Sequence, residues 1–149
     1  MHQLRLDEHA GNAGSRHSMR SPEMIGIPGL ADAGPVLGSC SAYVQTHMSK
    51  RITVEDLAKI CKLDIFQLIR VFHREYTTTP YAFVLHSRIE RAKELLMTGV
   101  TIANAAIDTG FSDQSHLTRH FKRLEGTTPK AFQSSHKMWR ANLPTHGTA

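Results

Sequence analysis

Apolar residues recur every three or four positions from Val36 to about Leu124, a spacing typical of helices that bury one face. Residues that favour helix N-termini interrupt this pattern at Thr53, Asp64, Thr79, Thr101 and Thr128. Glycines that favour helix C-termini stand at Gly99, Gly110 and Gly126. The pattern therefore predicts an all-α fold of seven helices and no strand.

The helices are expected to turn most of their apolar residues inward. In the second helix these residues are Leu57, Ala58, Ile60 and Cys61, and in the fifth they are Ile102, Ala105, Ala106 and Ile107. The fourth helix keeps one apolar face over about 18 residues, which makes it the longest. The seventh begins at Thr128-Pro129 and is expected to run to about Ser134, or at most to Trp139.

One motif occurs twice along the chain. The first copy contains Ala58, Asp64, Leu68, Arg70, Phe72 and Pro80, and the second contains Ala106, Ser112, Leu117, Arg119, Phe121 and Pro129. From Leu to Pro the two copies are offset by a constant 49 residues. Each copy predicts a short helix, a tight turn, a second helix with Arg-x-Phe, and a Thr-Pro that opens another helix. This is the layout of a helix-turn-helix, which places one helix in the DNA major groove.

The sequence divides into a tail, a helical domain and a second tail. Residues 1–36 lack a sustained apolar period and are interpreted as an irregular tail or linker remnant, with a short strand or turn possible near Met24–Ile27. The helical domain spans 37–138, with helix-turn-helix units at about 53–76 and 101–125 and a linker helix at about 80–98. Residues 139–149 are expected to be frayed.

Charge is concentrated in the helical part. Residues 1–36 hold three Lys or Arg and four acids, whereas residues 37–149 hold 15 Lys or Arg and nine acids, a net charge of +6. This excess fits an anionic partner such as nucleic acid, although many soluble proteins are equally basic. Cys40 and Cys61 are too few for a disulfide framework and fit a reducing cytosol. No secretory signal or apolar run of about 20 residues is present.

The repeated pattern resembles the DNA-binding domain of the AraC/XylS family of bacterial transcription regulators. The resemblance covers about residues 37–135 and is most specific in the run from Gly110 to Lys122, which reads Gly-Phe-Ser-x-x-Ser-x-Leu-x-Arg-x-Phe-Lys. It is weaker in the first copy, where Thr77 replaces the usual Gly and Asp64 the usual Ser. Thr77 is expected to make a left-handed turn less favourable than Gly would. Ala105 is expected to leave the core around the fifth helix less well filled.

The resemblance implies that the third and sixth helices enter successive major-groove segments, joined by the fourth helix. The family's base-reading positions fall on Phe66, Ile69 and Arg70 in the third helix and on Gln114, Ser115, His116 and Arg119 in the sixth. Four neighbours could touch the DNA backbone: Gln67, His73, His120 and Lys122. Arg and Gln can form paired hydrogen bonds with guanine and adenine, and Phe or Ile can touch a thymine methyl group.

The expected function is sequence-specific DNA binding by a cytoplasmic transcription regulator that acts as a monomer on double-stranded DNA, with RNA polymerase as a further candidate partner. Thirty-six irregular residues cannot form the family's effector domain, so the chain resembles a short stand-alone member or a detached C-terminal half. The alternative is a protein-interaction module that modulates RNA polymerase or another regulator with little DNA affinity. No enzyme, cofactor or metal site is expected. His116 and His120 have zinc-compatible spacing, but no third ligand is evident.

Overall fold

A computed structural model describes residues 34–142, which form seven helices and contain no strand. The helices are α1 Pro35–His47, α2 Val54–Cys61, α3 Ile65–Tyr76, α4 Pro80–Met97, α5 Ile102–Asp108, α6 Gln114–Glu125 and α7 Pro129–Ala141. The predicted all-α class and the number of helices are confirmed. The predicted N-terminal tail and the turn at Met24–Ile27 lie almost wholly outside the described residues. The chain divides into two compact units between Leu85 and His86, within α4.

The first unit is built on α1, α2, α3 and the first residues of α4. Its core contains residues from all four helices and from the segment before α2: Leu37, Cys40, Val44, Ile52, Leu57, Ala58, Leu68, Phe72 and Phe83. Thr53 caps α2 in a reciprocal capping box, since its hydroxyl accepts from the Asp56 amide and the Asp56 carboxylate accepts from the Thr53 amide. Thr53 and Asp64 are thus confirmed as caps.

The end of α3 accommodates the unusual Thr77. Thr77 adopts a left-handed conformation with φ 50°, and its amide donates to the Phe72 carbonyl. A β-branched residue is uncommon there because its side chain crowds the backbone. The helix nevertheless continues to Tyr76, and the Thr77 hydroxyl donates to the Tyr76 carbonyl at 2.8 Å. The predicted helix end is therefore formed with Thr in the position that Gly would occupy with less strain.

The second unit is built on the rest of α4 with α5, α6 and α7. Its buried residues are Ile89, Ala92, Leu96, Ala105, Ala106, Thr109, Phe111, Leu117, Phe121 and Pro129. Thr109, a buried polar residue, satisfies its hydroxyl by donating to the Ala105 carbonyl at 2.6 Å. Gly126 ends α6 in a left-handed conformation with φ 74°, as its position in the sequence predicts.

Two apolar residues that were expected to be buried are exposed instead. The side chain of Ile60 in α2 is 44% exposed, and that of Ile107 in α5 is 62% exposed. The inward face of α2 carries Val54, Leu57 and Ala58, and that of α5 carries Ile102, Ala105 and Ala106. Each residue of a helix is rotated by about 100° from the one before it, so positions 60 and 107 point away from these faces. These two predictions were wrong because helices of 8 and 7 residues have room for only one narrow buried stripe.

The last helix is longer than the sequence suggested. α7 runs to Ala141, past Ser134 and three residues beyond the expected domain end at 138. Its second half is held by contacts within the second unit, because the Arg140 guanidinium donates to the Met97 carbonyl at 3.2 Å and the Trp139 and His136 rings lie 5.7 Å apart. Across residues 34–142, none of these helices is long and apolar enough to span a membrane.

Candidate nucleic-acid interface

The N-terminus of α3 is fixed by a second capping box. The Gln67 amide donates to the Asp64 carboxylate at 2.8 Å, and the Asp64 amide donates to the Gln67 side-chain oxygen at 3.0 Å. Leu68 and Phe72 then anchor the opposite side of the helix in the core with no exposed surface. Gln67, predicted as a backbone contact, thus also has a structural role that the sequence did not reveal.

The outward face of α3 carries the residues that were predicted to read DNA. Phe66 is 77% exposed and Ile69 is 40% exposed, an unusual display of large apolar side chains. Arg70 and His73 are exposed as well. Positions 66, 69, 70 and 73 follow the spacing that brings helical residues onto one face. The structure therefore groups these four predicted residues along a single exposed stripe.

The sixth helix is held in the second unit in the same manner. Asp113 caps it by accepting from the His116 amide at 2.7 Å, which decides between the two predicted caps, Ser112 and Asp113. Leu117 and Phe121 are fully buried. On the outer side Gln114, Ser115, Arg119 and Lys122 are exposed, and the last three share one face by their spacing. Four predicted residues of α6 are therefore accessible.

His116 and His120 are only partly exposed, because both pack beside Phe111. Their ring centroids lie 5.2 and 5.9 Å from that of Phe111 and 4.9 Å from each other. The Nδ1 atom of His116 accepts from the Ser112 amide at 3.2 Å, and that of His120 lies 3.1 Å from the Arg123 guanidinium. Both imidazoles thus stabilise the turn and the helix surface beside the outward stripe.

The two exposed stripes correspond through the 49-residue offset of the repeat. Adding 49 to positions 66, 70 and 73 gives 115, 119 and 122, so Phe66 matches Ser115, Arg70 matches Arg119, and His73 matches Lys122. The same offset relates the buried pairs Leu68–Leu117 and Phe72–Phe121. Each unit therefore presents the same positions of its helix outward, with a more apolar set on α3 and a more polar set on α6.

Charge on α6 is biased towards cations by a contact from α4. Glu125 is the one acid in the α6 sequence, and its carboxylate lies 3.1 Å from the ammonium of Lys93, which also lies 3.0 Å from Glu90. Burial by itself would lower the pKa of Lys93, but the hydrogen bonds to these two carboxylates outweigh it and raise the pKa. Glu125 is thereby paired with a cation, and the Lys and Arg residues of the helix are Arg119, Lys122 and Arg123.

Comparison with known proteins identifies the family. The family described as "Helix-turn-helix domain" matches residues 57–135, more than half of the chain. The chain belongs to the AraC/XylS helix-turn-helix family. Its AraC-type domain is 39% identical over 75 residues to the uncharacterized HTH-type transcriptional regulator YbfI of Bacillus subtilis, covering 50% of this chain and 27% of that protein. It is 32% identical over 92 residues to the probable transcriptional regulator LumQ of Photobacterium leiognathi, covering 61% of this chain and 37% of LumQ.

A solved structure shares the fold. The DNA-binding domain of AdpA, crystallised in complex with a target DNA, superposes with a TM-score of 0.65 at 24% identity, covering 71% of this chain and 96% of that one. The AraC-type chain spans about a third of the length of the curated relatives it matches, 27% of YbfI and 37% of LumQ. The family match and the superposition thus identify the domain and its fold.

Three further residues enter the candidate interface through the register of the repeat. Thr118 corresponds to Ile69 and is partly exposed, while Arg74 and Arg123 correspond to each other and are both exposed. The Arg74 guanidinium lies 2.8 Å from the Glu75 carboxylate. The sequence analysis did not select these residues, although the constant offset of 49 leads from Ile69 to Thr118 and shows Arg74 and Arg123 as a matched pair. They extend the AraC-type interface by one residue at the edge of α3 and two on α6.

Two histidines of α6, His116 and His120, have the spacing of metal ligands. His116 and His120 are adjacent, yet residues 34–142 contain no group of three or more His, Cys, Asp or Glu that could hold a metal ion. The Nδ1 atoms of both imidazoles face protein groups, Ser112 and Arg123 respectively. The rings of this pair pack against Phe111.

Proposed function

We propose that this AraC-type chain binds double-stranded DNA sequence-specifically and regulates transcription, with α3 and α6 as its recognition helices in successive major-groove segments. The proposal assigns the domain to residues 37–138 and the two helix-turn-helix units to about 53–76 and 101–125. The observation that carries it is the common register: Phe66, Arg70 and His73 on α3, and their counterparts 49 residues later, are exposed around buried Leu and Phe anchors. The DNA complex of AdpA, which shares this fold, supports the same use.

The side chains of α6 are suited to reading base edges. Arg119 can donate two hydrogen bonds to guanine O6 and N7, and Gln114 can pair with adenine N6 and N7. Ser115 and His116 can each make a single contact. Lys122 and His120, at the border of the stripe, are suited to phosphate oxygens, which fix the register of the helix on the duplex. We therefore assign most of the base discrimination to α6.

The side chains of α3 are suited to a different kind of contact. Phe66 and Ile69 have no hydrogen-bonding groups, and the partner that DNA offers them in the major groove is the thymine methyl group. Arg70 can contact guanine, while Gln67 and His73 are placed for backbone contacts. The exposure of Phe66 costs free energy in water, and a contact with a methyl group would recover part of it.

Selection from a random DNA pool tests the proposal. We expect the purified full chain to enrich one sequence and to bind it at least about 10³-fold more tightly than unrelated DNA at the same salt concentration. The double variant Arg70→Ala with Arg119→Ala should lose this preference. The matched control is Arg91→Ala, which removes an exposed arginine of α4 whose guanidinium pairs with Glu94 at 2.7 Å.

The interaction-module alternative predicts a different result. It requires weak DNA binding that responds little to salt and no enriched sequence, and that outcome would overturn the proposal. The family match does not favour it. Contact with RNA polymerase, binding as a monomer and the absence of enzymatic activity stay predictions of the sequence analysis.

A further inference from the structure

The two cysteines of the chain lie side by side in the first unit, and neither belongs to the exposed stripes of α3 and α6. The Sγ atoms of Cys40 and Cys61 are 3.3 Å apart, although the residues are 21 positions apart along the chain. Cys40 lies in the middle of α1 and is completely buried, whereas Cys61 is the last residue of α2 and is partly exposed. Both are free thiols. The fold therefore pairs two nucleophilic side chains that the proposed function does not use.

The two sulfur atoms of this pair are already in van der Waals contact. A disulfide requires an S–S distance of about 2.05 Å, so the sulfurs need to approach by a little over 1 Å. The residue that can move is Cys61, because it ends α2 and is followed by Lys62 in a left-handed conformation with φ 55°. Its Sγ also makes a long contact, 3.6 Å, to the Val36 carbonyl, and the residue packs at the edge of the core. Cys40 is fixed within α1.

We propose that Cys40 and Cys61 form a reversible intrachain disulfide when the reduced chain meets a hydroperoxide, and that this bond joins α1 to α2. Cys61, which is partly exposed, reacts as a thiolate: its sulfur attacks the peroxide and forms a sulfenic acid. The leaving hydroxide or, for an organic peroxide, alkoxide takes up the proton that Cys61 lost and becomes water or an alcohol. The Cys40 sulfur then attacks the Cys61 sulfur, and the Cys40 proton leaves with the sulfenic hydroxyl as water. Two thiols give up two electrons in total, which the peroxide accepts.

The surroundings assign the order of these steps. Burial, together with the hydrogen bond and the charge of Cys61, raises the pKa of the Cys40 thiol, so Cys40 is a poor nucleophile towards peroxide in solution. Its sulfur is instead placed to attack the Cys61 sulfur once that sulfur has been oxidised, because the two atoms are in contact. Cys61 has the exposure that a first reaction with peroxide requires. Cys61 is therefore the peroxide-reactive residue and Cys40 the resolving one.

The bond would act on the position of the first recognition helix. Cys61 ends α2, and Asp64, three residues later, caps α3. Joining Cys61 to α1 therefore anchors the turn from which α3 departs. The cross-link also closes a loop of about 20 residues and restricts the unfolded chain, so the oxidised form should unfold at a higher temperature, on the order of 5–10 °C higher.

The test is a mass measurement on the full chain. Reduced protein at low concentration is treated with hydrogen peroxide, blocked with iodoacetamide and weighed under denaturing conditions. We expect the untreated chain to carry two carbamidomethyl groups, and the treated chain to carry none and to be about 2 Da lighter than the reduced polypeptide. Dithiothreitol should restore both alkylations and return the melting temperature to that of the reduced chain. Neither readout involves DNA, so this result and the proposed function can fail independently.

Single substitutions separate the roles of the two sulfurs. In Cys40→Ala, peroxide should leave Cys61 as a sulfenic acid that dimedone traps, because no resolving thiol remains. In Cys61→Ser, a change at a partly exposed site, Cys40 should stay reduced and alkylatable after unfolding. Two thiols still alkylatable in the treated parent, a cross-link found only between two chains, or Cys61 oxidised to sulfinic acid without a cross-link would each overturn the proposal.

Discussion

Arg119 and Lys122 lie within one turn of each other on the exposed face of α6, yet they are suited to different parts of DNA. We predict that Arg119→Ala weakens binding to the preferred site by about 1–3 kcal/mol and relaxes the preference at one base pair. Lys122→Ala should weaken binding to every sequence alike and reduce the slope of log K against log salt by about one. Titrations on preferred and scrambled duplexes at several salt concentrations measure both effects.

The distinction between these residues can be contradicted in two ways. If Arg119→Ala weakens binding equally on all sequences, this arginine contacts phosphate and not a base. An unchanged salt slope in Lys122→Ala would remove Lys122 from the phosphate contacts.

Phe66 offers a second prediction, based on the methyl group that distinguishes thymine from uracil. Replacing each thymine by deoxyuridine in the half-site read by α3 should weaken binding by about 0.8 kcal/mol for each contacted methyl group, or about fourfold in Kd. Phe66→Ala should bind the thymine duplex less tightly and lose most of this difference. Fluorescence anisotropy on duplexes substituted in either half-site measures it. Equal losses in the two half-sites would contradict the assignment.

The sequence predicted which residues of α3 and α6 lie outside the core. Leu68 and Leu117 are buried, and the 3.6-residue helical period then determines which positions lie on the opposite, outer face. It did not predict how some of those side chains are used. Gln67 completes a capping box, and the Nδ1 atom of His116 accepts from Ser112. Such contacts depend on side-chain rotamers and on the path of a turn, and neither follows from residue spacing.

The long helix α4 contributes Leu96 to the core of the second unit, where it is 1% exposed. We predict that Leu96→Ala lowers the free energy of unfolding by about 2–5 kcal/mol, because it removes buried methyl groups and leaves a cavity. The control is Ile107→Ala on α5, which should change stability by less than about 0.5 kcal/mol since its side chain is exposed. Urea denaturation of both variants and the parent gives the comparison. Equal losses would place Ile107 in the core.

The same helix contains a histidine whose titration should couple to folding. His86 is largely buried, with its Nε2 atom 3.9 Å from the Glu90 carboxylate. Burial lowers its pKa, and this effect outweighs the attraction of Glu90 and Glu125, while Lys93 lowers the pKa further. Below about pH 6.5 the unfolded chain therefore binds a proton more readily than the folded chain, so stability falls as the pH drops towards the folded pKa.

This linkage leads to a specific prediction for His86→Gln. Its unfolding free energy should decrease less than that of the parent between about pH 7.5 and pH 5.5, because the glutamine cannot take up the proton. Denaturation curves at a series of pH values measure the two slopes. Parallel slopes would mean that His86 is not responsible for the loss of stability in this range.

At the scale of whole elements, the caps and the order of the helices were predictable because Thr, Asp, Pro and Gly have strong local preferences. The buried side of the short helices and the end of α7 were less predictable. Ile60 and Ile107 lie one position away from the buried stripe, so an apolar side chain alone did not decide burial. The extension of α7 to Ala141 involves the Arg140 contact with Met97, 43 positions earlier, which no local pattern reveals.

The whole molecule carries the two proposed recognition helices, which differ in sequence, on one polypeptide. Phe66 on α3 corresponds to Ser115 on α6, and Ile69 corresponds to Thr118, so the two units cannot prefer the same bases. Residues 34–85 hold six Lys or Arg and four acids, whereas residues 86–149 hold nine and five, so the second unit is the more basic. A single chain should therefore bind an asymmetric site. Its affinity for the half-site read by α6 should depend more strongly on salt than its affinity for the other half-site.

The arrangement of the half-sites gives the last prediction. Both units belong to one chain and share α4, a continuous helix of 18 residues, so the distance that two half-sites can span is limited. Successive major-groove segments lie on the same side of B-form DNA at intervals of about 10 base pairs, and inserting about five base pairs turns one half-site to the opposite side. We expect this insertion to reduce the affinity to that of a single half-site or of non-specific DNA. Inserting about 10 base pairs should not restore the affinity fully, because α4 cannot lengthen.

Titration of the native duplex and of the two lengthened duplexes at fixed salt measures these affinities. Equal affinity for all three would mean that only one helix-turn-helix reads DNA, and the departures at Asp64 and Thr77 from the family pattern would then mark the first unit as the one without that role.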